Sequence, residues 1–207
     1  MENVFRKLLF VGPHPDDVEL GCGGTIAKYS RSSRIIYLIL SPCMEEPKNK
    51  NIINEVRRAI DILGISEKDL IIKKIPRRNF HDHRRRIRET LISVRDEFEP
   101  ELVFCPSLRD IHQDHSVTAE ETLRLFRDNG VISYEAPRSS LFFQPNLYII
   151  LNDEGFSQKM RALRCYKSQF DRYYFNPDVI RSLVCMRGSQ ARARYAEAFE
   201  ILRMKLP

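Results

Sequence analysis

Short apolar runs alternate with amphipathic stretches along the first 126 residues, and this alternation restricts the fold more than any other feature of the chain. Apolar, β-branched runs predict strands, whereas apolar residues spaced three or four apart predict helices. The predicted strands span residues 7–11, 34–40, 70–75 and 102–105, and the predicted helices span residues 19–29, 53–63, 84–98 and 116–126. Such alternation predicts a Rossmann-like α/β fold, a mostly parallel sheet with helices on both faces.

The pattern changes after Asn129. Beyond it we predict a loop, a strand at residues 147–151, and helices at residues 156–166, 178–187 and 192–206. No Gly-, Ser- or Pro-rich linker separates this part from the preceding one. A chain of 207 residues can also bury a substantial core by itself. We therefore interpret residues 1–207 as a single domain.

Two polar loops follow predicted strands. Residues 13–17 form the sequence Pro-His-Pro-Asp-Asp after the first strand, and residues 110–115 form Asp-Ile-His-Gln-Asp-His after the fourth. Ligands of open α/β sheets bind at the carboxyl ends of strands, so loops that are far apart in the chain can converge there. A lone His-Pro or Asp-Asp pair is usually only a turn, but this many ligating residues in two such loops favour a site.

His14, Asp17 and His115 are the candidate metal ligands. His14 and Asp17 are three residues apart in a proline-restrained turn, and can present a nitrogen and an oxygen to one ion. His115 can supply a second nitrogen from the other loop. A His/Asp/His set leaves one position open for water, which is typical of catalytic rather than structural zinc. The sequence thus predicts a catalytic Zn²⁺ site.

Three further residues of these loops have predicted catalytic roles. Asp16 would lie beside the metal and act as the general base that takes a proton from the metal's water ligand. His112 could stabilise an oxyanion or, if charged, protonate a departing amine, and the residues alone leave both roles open. Asp114 would orient a neighbouring histidine.

The segment Gly-Cys-Gly-Gly-Thr at residues 21–25 invites a nucleotide-binding interpretation. It lacks the full dinucleotide-binding fingerprint. We expect its glycines to let the first helix approach the sheet closely.

The formal net charge of +6 would suit a nucleic acid, an anionic surface or a phosphorylated small molecule. The dense basic cluster lacks the interleaved aromatic residues expected of a platform that stacks single-stranded nucleic acid. Its members are Arg77, Arg78, Arg84, Arg85, Arg86 and Arg88. We predict no nucleic-acid partner, and expect one or two arginines to contact a substrate while the others are solvated.

The five cysteines are odd in number and scattered, which suggests a reducing compartment. The early apolar run at residues 8–11 is far shorter than the core of a signal peptide. No stretch approaches the roughly 18 apolar residues that cross a bilayer. We therefore expect a cytoplasmic protein without a membrane span.

Both polar loops resemble motifs of the LmbE-like family, also called PIG-L, of zinc-dependent N-acetylglucosaminyl deacetylases. The first motif covers residues 13–26 and the second covers residues 110–115. The resemblance extends to the helix at residues 55–64, the strand at residues 99–106 and the Tyr-Ala-Glu-Ala-Phe segment at residues 195–199. It implies the removal of an acyl group, most simply acetyl, from the nitrogen of an amino-sugar derivative.

The resemblance implies the same site residues as the motif chemistry: zinc on His14, Asp17 and His115, with Asp16 as base and His112 as oxyanion stabiliser. The sequence departs from the family at two positions. Val18 stands where many members have glutamate, and Ile52 replaces an arginine often found three residues before the glutamate of the second helix. The arginines that could compensate for Ile52 in substrate binding are Arg84, Arg109 and Arg187.

Two other functions compete with the deacetylase. A metal-dependent phosphoesterase would also use histidines, aspartates and arginines, but such enzymes commonly need two metals and this chain has good ligands for one. A non-catalytic nucleic-acid-binding module would exploit the positive charge, but intact ligand motifs argue against it. The expected substrate is a small N-acetylated amino sugar, and a phosphorylated or nucleotide-linked form and a homo-oligomeric state both stay open.

Overall fold

A computed structural model describes residues 5–205, which form one seven-stranded sheet flanked by helices. The strands are β1 (Lys7–Gly12), β2 (Arg34–Ile39), β3 (Leu70–Ile72), β4 (Leu102–Pro106), β5 (Gly130–Tyr134), β6 (Leu147–Leu151) and β7 (Tyr195–Arg203). The helices are α1 (Asp17–Tyr29), α2 (Ile52–Leu63), α3 (Arg84–Phe98), α4 (Gln113–Leu125), α5 (Asp153–Leu163) and α6 (Pro177–Gln190). Among the residues described, no helix has both the length and the apolar character needed to cross a membrane.

The sheet is parallel over most of its width. Its strand order is β3-β2-β1-β4-β5-β7-β6, and the first five strands in this order are parallel. Strand β7 runs antiparallel to both of its neighbours, β5 and β6. The predicted α/β architecture is therefore confirmed, with an antiparallel pair at one edge. From β1 the chain adds β2 and β3 on one side, and it then crosses to the other side of β1 to add β4 and β5. The strand order therefore reverses between β1 and β4, and open α/β sheets bind ligands at such a position.

Apolar side chains cover both faces of the central strands, and this explains why helices pack on both sides. Phe10 of β1 belongs to a buried cluster with Val56 of α2, whereas its neighbour Leu9 belongs to a second cluster with Leu91 of α3. Successive strand residues point to opposite faces. A strand buried on both faces is therefore a continuous apolar run, as residues 8–11 are.

Glycines allow α1 to lie close to the sheet. A Cβ atom added at Gly21 would lie 2.6 Å from the Tyr134 ring, and one added at Gly24 would lie 2.3 Å from the Leu151 side chain. Neither distance is tolerable for a real Cβ contact, so only glycine fits these positions without repacking. The glycines at positions 21 and 24 thus let α1 pack closely on β5 and β6, as predicted from the sequence.

The C-terminal part departs from the sequence prediction at two places. The helix predicted at residues 192–206 is wrong, because this segment contains strand β7, while Leu206 lies outside the described residues. The loop predicted after Asn129 contains strand β5. Together these strands connect the parallel sheet to β6.

Buried carboxylates explain the wrong prediction for β7. Glu197 and Glu200 are almost completely buried in the strand. Glu197 is paired with Lys159 of α5, and Glu200 accepts hydrogen bonds from the hydroxyls of Ser107 and Ser133. Alanine, glutamate and leucine favour helices in isolation. Pairing with β5 and β6 and these long-range partners override that local preference.

Candidate metal centre

The two predicted loops lie side by side because β1 and β4 are neighbouring parallel strands. One loop joins β1 to α1, and the other joins β4 to α4. The two helices begin at Asp17 and Gln113, earlier than the predicted residues 19 and 116. Asp17, Asp114 and His115 therefore lie in first helical turns, which hold their backbones in place.

His14 and His115 meet at one carboxylate oxygen of Asp17. His14 Nδ1 lies 3.2 Å from Asp17 Oδ2, and His115 Nε2 lies 3.3 Å from the same oxygen. A tetrahedral ion with bonds of about 2.1 Å separates its ligand atoms by about 3.4 Å, so these spacings suit one metal. The structure thus brings together the three predicted ligands, and their side chains could hold a metal ion.

Each histidine also contacts a second carboxylate, through the ring nitrogen that does not face Asp17. Asp114 Oδ2 is 2.9 Å from His14 Nε2, and Asp110 Oδ2 is 2.9 Å from His115 Nδ1. A carboxylate accepts a hydrogen bond from the protonated ring nitrogen, which leaves the other nitrogen as a ligand. Asp114 has the partner that its predicted orienting role requires. Asp110 was missed, although it lies in the same motif, because the sequence does not show how the loop folds back onto His115.

The two orienting carboxylates are themselves anchored. Asp110 accepts hydrogen bonds from the Ser139 hydroxyl at 3.0 Å and from the backbone N–H of His112 at 2.8 Å. Asp114 accepts one from the backbone N–H of Arg78 at 2.7 Å. Both histidines are therefore oriented by groups that are already fixed before any ligand binds.

The charges of the site shift the pKa values of its members in opposite directions. Burial alone would raise the pKa of Asp17, but the adjacent His115 and His14 outweigh burial and lower it. Burial alone would lower the pKa of His115, but Asp17 and Asp110 outweigh burial and raise it to about 10. A metal ion bound here would replace that proton with a larger positive charge between the same carboxylates.

Asp16 occupies a strained position in the first loop. Its backbone has a φ of 80°, in the left-handed region that residues with a Cβ atom seldom adopt. The residue is buried and lines the cavity beside Asp17. Burial, reinforced by the charge of Asp17, raises the pKa of Asp16 well above its usual value. A carboxyl group in such surroundings binds a proton more tightly than an exposed one, which suits a general base.

His112 caps the N-terminus of α4. Its Nδ1 accepts a hydrogen bond from the backbone N–H of Asp114 at 3.1 Å, so Nε2 carries the ring hydrogen. The ring stacks on His115 with centroids 4.5 Å apart. Burial and the nearby charges of His115 and His14 lower the pKa of His112 to about 4. A neutral imidazole is suited to donating a hydrogen bond rather than to delivering a proton as a charged acid.

The polar residues of both loops line a cavity of about 550 Å³, a volume typical of small-molecule sites. Ile52, the position at which the family resemblance implies an arginine, lines this cavity and is buried. Helix α2 therefore contributes an apolar side chain there. The basic side chains that do line the cavity are Lys48, Arg77, Arg78, Arg138 and Arg172.

The three arginines predicted to contact substrate lie elsewhere. Arg84, Arg109 and Arg187 do not line the cavity, because each is held by a partner outside it. Arg84 pairs with Glu120 and Glu121 of α4, Arg109 donates to Gln144, and Arg187 makes a bidentate pair with Glu135. The cavity's own arginines come from irregular segments, whose mutual proximity no local pattern in the sequence indicates.

Comparison with known proteins covers almost the whole chain. Residues 9–126, more than half of the sequence, match the PIG-L family, described as GlcNAc-PI de-N-acetylase. Diacetylchitobiose deacetylase of Thermococcus kodakarensis is 25% identical, over 97% of this chain and 84% of that protein. The uncharacterized deacetylase YaiS of Escherichia coli (strain K12) is 26% identical, over 80% of this chain and 93% of that protein.

The fold has a close structural counterpart as well. The conserved protein TT1542 from Thermus thermophilus superimposes with a TM-score of 0.81 and 23% identity, covering 98% of this chain and 97% of that one. The family match includes both loops of the candidate metal centre. On the strength of that match, this chain belongs to the PIG-L family.

Proposed function

We propose that this protein is a zinc-dependent hydrolase that removes an acetyl group from the nitrogen of an amino-sugar derivative. The observation that carries the proposal is the position of Asp17 Oδ2, at 3.2 Å from one histidine nitrogen and 3.3 Å from another, beside the buried carboxyl group of Asp16. Family membership and the deacetylase activity named for two relatives support the same reaction.

Zinc is the metal that suits these donors best. Two imidazole nitrogens and one carboxylate oxygen are a typical catalytic zinc set with a free coordination position. The carboxylates of Asp114 and Asp110, which contact the opposite nitrogens of the two histidines, favour tight binding of the ion. When bound, the ion would polarise the amide carbonyl and raise the acidity of a water molecule.

Asp16 is the proposed general base. Its carboxyl group accepts the proton of the attacking water and can return it to the amide nitrogen as the amine departs. The raised pKa of Asp16 favours the first transfer, because a carboxylate with a raised pKa is a stronger base toward the water proton. Asp17 cannot share this role, since its Oδ2 is directed at both histidines.

His112 is the proposed oxyanion stabiliser. Because Nδ1 is occupied by the Asp114 N–H, its Nε2–H is the group free to donate to the carbonyl oxygen as negative charge develops there. The lowered pKa of His112 supports the neutral donor over the alternative of a charged acid that protonates the amine. Asp114 and Asp110 complete the arrangement by orienting His14 and His115.

A phosphoesterase is the less supported alternative. Such enzymes commonly use two metals about 3.5–4 Å apart. In residues 5–205, the clustered histidines that could ligate a metal, His14, His112 and His115, gather at one place beside Asp17, where two of them contact the same carboxylate oxygen. This supports one ion and therefore the amide hydrolase.

The experiment is an acetate-release assay. Zinc-loaded protein is incubated with a panel of N-acetylated amino sugars in free, phosphorylated and nucleotide-linked form, and products are identified by mass spectrometry. We expect acetate and free amine from at least one member, with loss of activity on chelation and recovery on zinc addition. Cleavage of a phosphate ester without acetate release would contradict the proposal and favour the phosphoesterase.

We also propose that residues 1–207 act as one domain in the cytoplasm. A single sheet that contains strands from both ends of the described chain supports one domain. All five cysteines are free, which supports a reducing compartment.

A further inference from the structure

Positive charge is concentrated on the cavity beyond the metal centre. Its lining includes five basic side chains, whereas its carboxylates other than Asp16 and Asp17 are limited to Glu46. The basic residues are Lys48, Arg77, Arg78, Arg138 and Arg172. The proposed deacetylase reaction has no use for so many cations, because an N-acetylated sugar without further substituents is neutral.

Ion pairs neutralise only part of this charge. Glu46 is shared between Arg77 and Arg172, with 3.6 Å separating its Oε2 from Arg172 Nη2. Lys48 pairs with Asp171 at 2.8 Å. Arg78 and Arg138 form no ion pair with any carboxylate of residues 5–205. The cavity therefore presents unneutralised guanidinium groups, which attract an anion.

Tyr174 contacts two of the arginines, Arg138 and Arg172. Its hydroxyl oxygen accepts a hydrogen bond from Arg172 Nη1 at 2.5 Å, and its ring centroid lies 5.8 Å from the guanidinium carbons of both Arg138 and Arg172. Burial raises the pKa of Tyr174 to about 12, so the hydroxyl keeps its hydrogen at neutral pH. That hydrogen can be donated to an anion, alongside the guanidinium donors.

Two of these cations are tied to the metal centre through the backbone. The N–H of Arg78 is bonded to Asp114, which orients His14. Arg138 directly precedes Ser139, whose hydroxyl is bonded to Asp110. An anion held by these arginines would therefore lie at a defined distance from the reacting amide. Such a contact positions a substrate as well as attracting it.

The donors fit a phosphoryl group better than a carboxylate. Arg78, Arg138 and Arg172 approach from three separate segments: between β3 and α3, between β5 and β6, and between α5 and α6. Three terminal oxygens can accept hydrogen bonds from several directions, whereas a carboxylate offers two oxygens in one plane. We infer that these arginines and Tyr174 form a phosphate subsite and that the substrate is a phosphorylated amino sugar. This inference rests on the proposed deacetylase function.

The kinetic test compares neutral and phosphorylated substrates in matched variants. kcat/KM for acetate release is measured with N-acetylglucosamine, its 1-phosphate, its 6-phosphate and its uridine diphosphate conjugate. At least one phosphorylated form should be preferred by about ten-fold or more over the neutral sugar, as expected for charge-assisted hydrogen bonds. Arg138→Gln and Arg172→Gln should each reduce this preference by a similar factor, mainly through KM. Arg31→Gln, at an exposed ion pair with Glu154, is the control that should leave the preference unchanged.

A binding test separates failure of the subsite from failure of the deacetylase. Calorimetry on the zinc-loaded protein compares glucosamine with glucosamine 1-phosphate and glucosamine 6-phosphate, and needs no turnover. The subsite is supported if a phosphorylated sugar binds more tightly than glucosamine, and if Arg138→Gln weakens that binding without changing the circular dichroism spectrum. This conclusion holds even if no acetate is released. Equal binding of charged and neutral sugars, or a preference that both arginine variants retain, overturns it even if acetate is released.

Discussion

Asp114 Oδ2 and Asp17 Oδ2 contact opposite nitrogens of His14. Asp114 lies 2.9 Å from Nε2 and Asp17 lies 3.2 Å from Nδ1. The first contact holds the ring hydrogen on Nε2 and so directs the Nδ1 lone pair toward the proposed metal position. The His14 imidazole therefore connects the buried carboxylate of Asp114 to the proposed metal ligands. A change at Asp114 should consequently alter the affinity for zinc.

Asp114→Asn should weaken zinc binding by about 10–100-fold, because an amide orients the imidazole less strongly than a carboxylate does. The dissociation constant is measured by competition with a chromogenic chelator. Asp153→Asn, at the exposed ion pair with Arg194, is the matched control and should leave zinc affinity unchanged. An Asp114→Asn protein that binds zinc as tightly as wild type would show that this contact does not orient a ligand.

Asp16→Asn should retain zinc and lose turnover. The amide keeps the size of the side chain but cannot accept a proton, and loss of a positioned base costs about two to four orders of magnitude in kcat. Zinc content and kcat are measured on the same preparation. If the variant keeps near wild-type turnover, or loses its metal, the base has been assigned wrongly.

The convergence of the two loops could be predicted because each lies directly after a strand and contains the candidate ligands. His14, Asp17 and His115 needed only the rule that parallel strands end at one edge of a sheet. Asp110 was not predicted, since its role depends on a loop that turns back toward His115. Arg138 and Arg172 could not be assigned to the cavity from the sequence either, because they come from irregular segments that show no helix or strand periodicity.

Strand β7 could not be predicted for a related reason. Glu197 and Glu200 suggest a solvated helix, and only the fold shows that Lys159 and two serine hydroxyls stabilise them in the interior. Local propensity therefore pointed to a helix until long-range partners were known. The parallel strands β1, β2 and β4 were predicted well because burial on both faces makes each a continuous apolar run.

The metal-free protein should lose stability as pH rises above neutrality. His115 has a pKa of about 10 in the folded metal-free protein, against an ordinary value of 6.5. Its protonated form therefore stabilises the fold fully below pH 6.5, and this contribution disappears as pH rises toward 10. The melting temperature of chelator-treated protein is measured across that range. His115→Gln should flatten the decline, and an identical decline in both proteins would contradict the prediction.

The buried pair between Lys159 and Glu197 should contribute strongly to stability when only one partner is removed. Lys159 Nζ lies 2.5 Å from Glu197 Oε1 and also donates to the carbonyl oxygen of Leu20, while Glu197 accepts from the N–H of Thr25. Lys159→Met leaves the carboxylate buried without its cation and should lower the free energy of unfolding by about 3–5 kcal/mol. Combining it with Glu197→Gln removes both charges, so the double variant should lose less than the sum of the two single losses. Urea unfolding of the zinc-loaded proteins measures the free energy of unfolding for the two single variants and the double variant.

Arg194→Met is the control, because Arg194 and its partner Asp153 are both exposed. It should lower the free energy of unfolding by less than about 1 kcal/mol. A similarly small loss for Lys159→Met would show that the buried pair is not needed for stability.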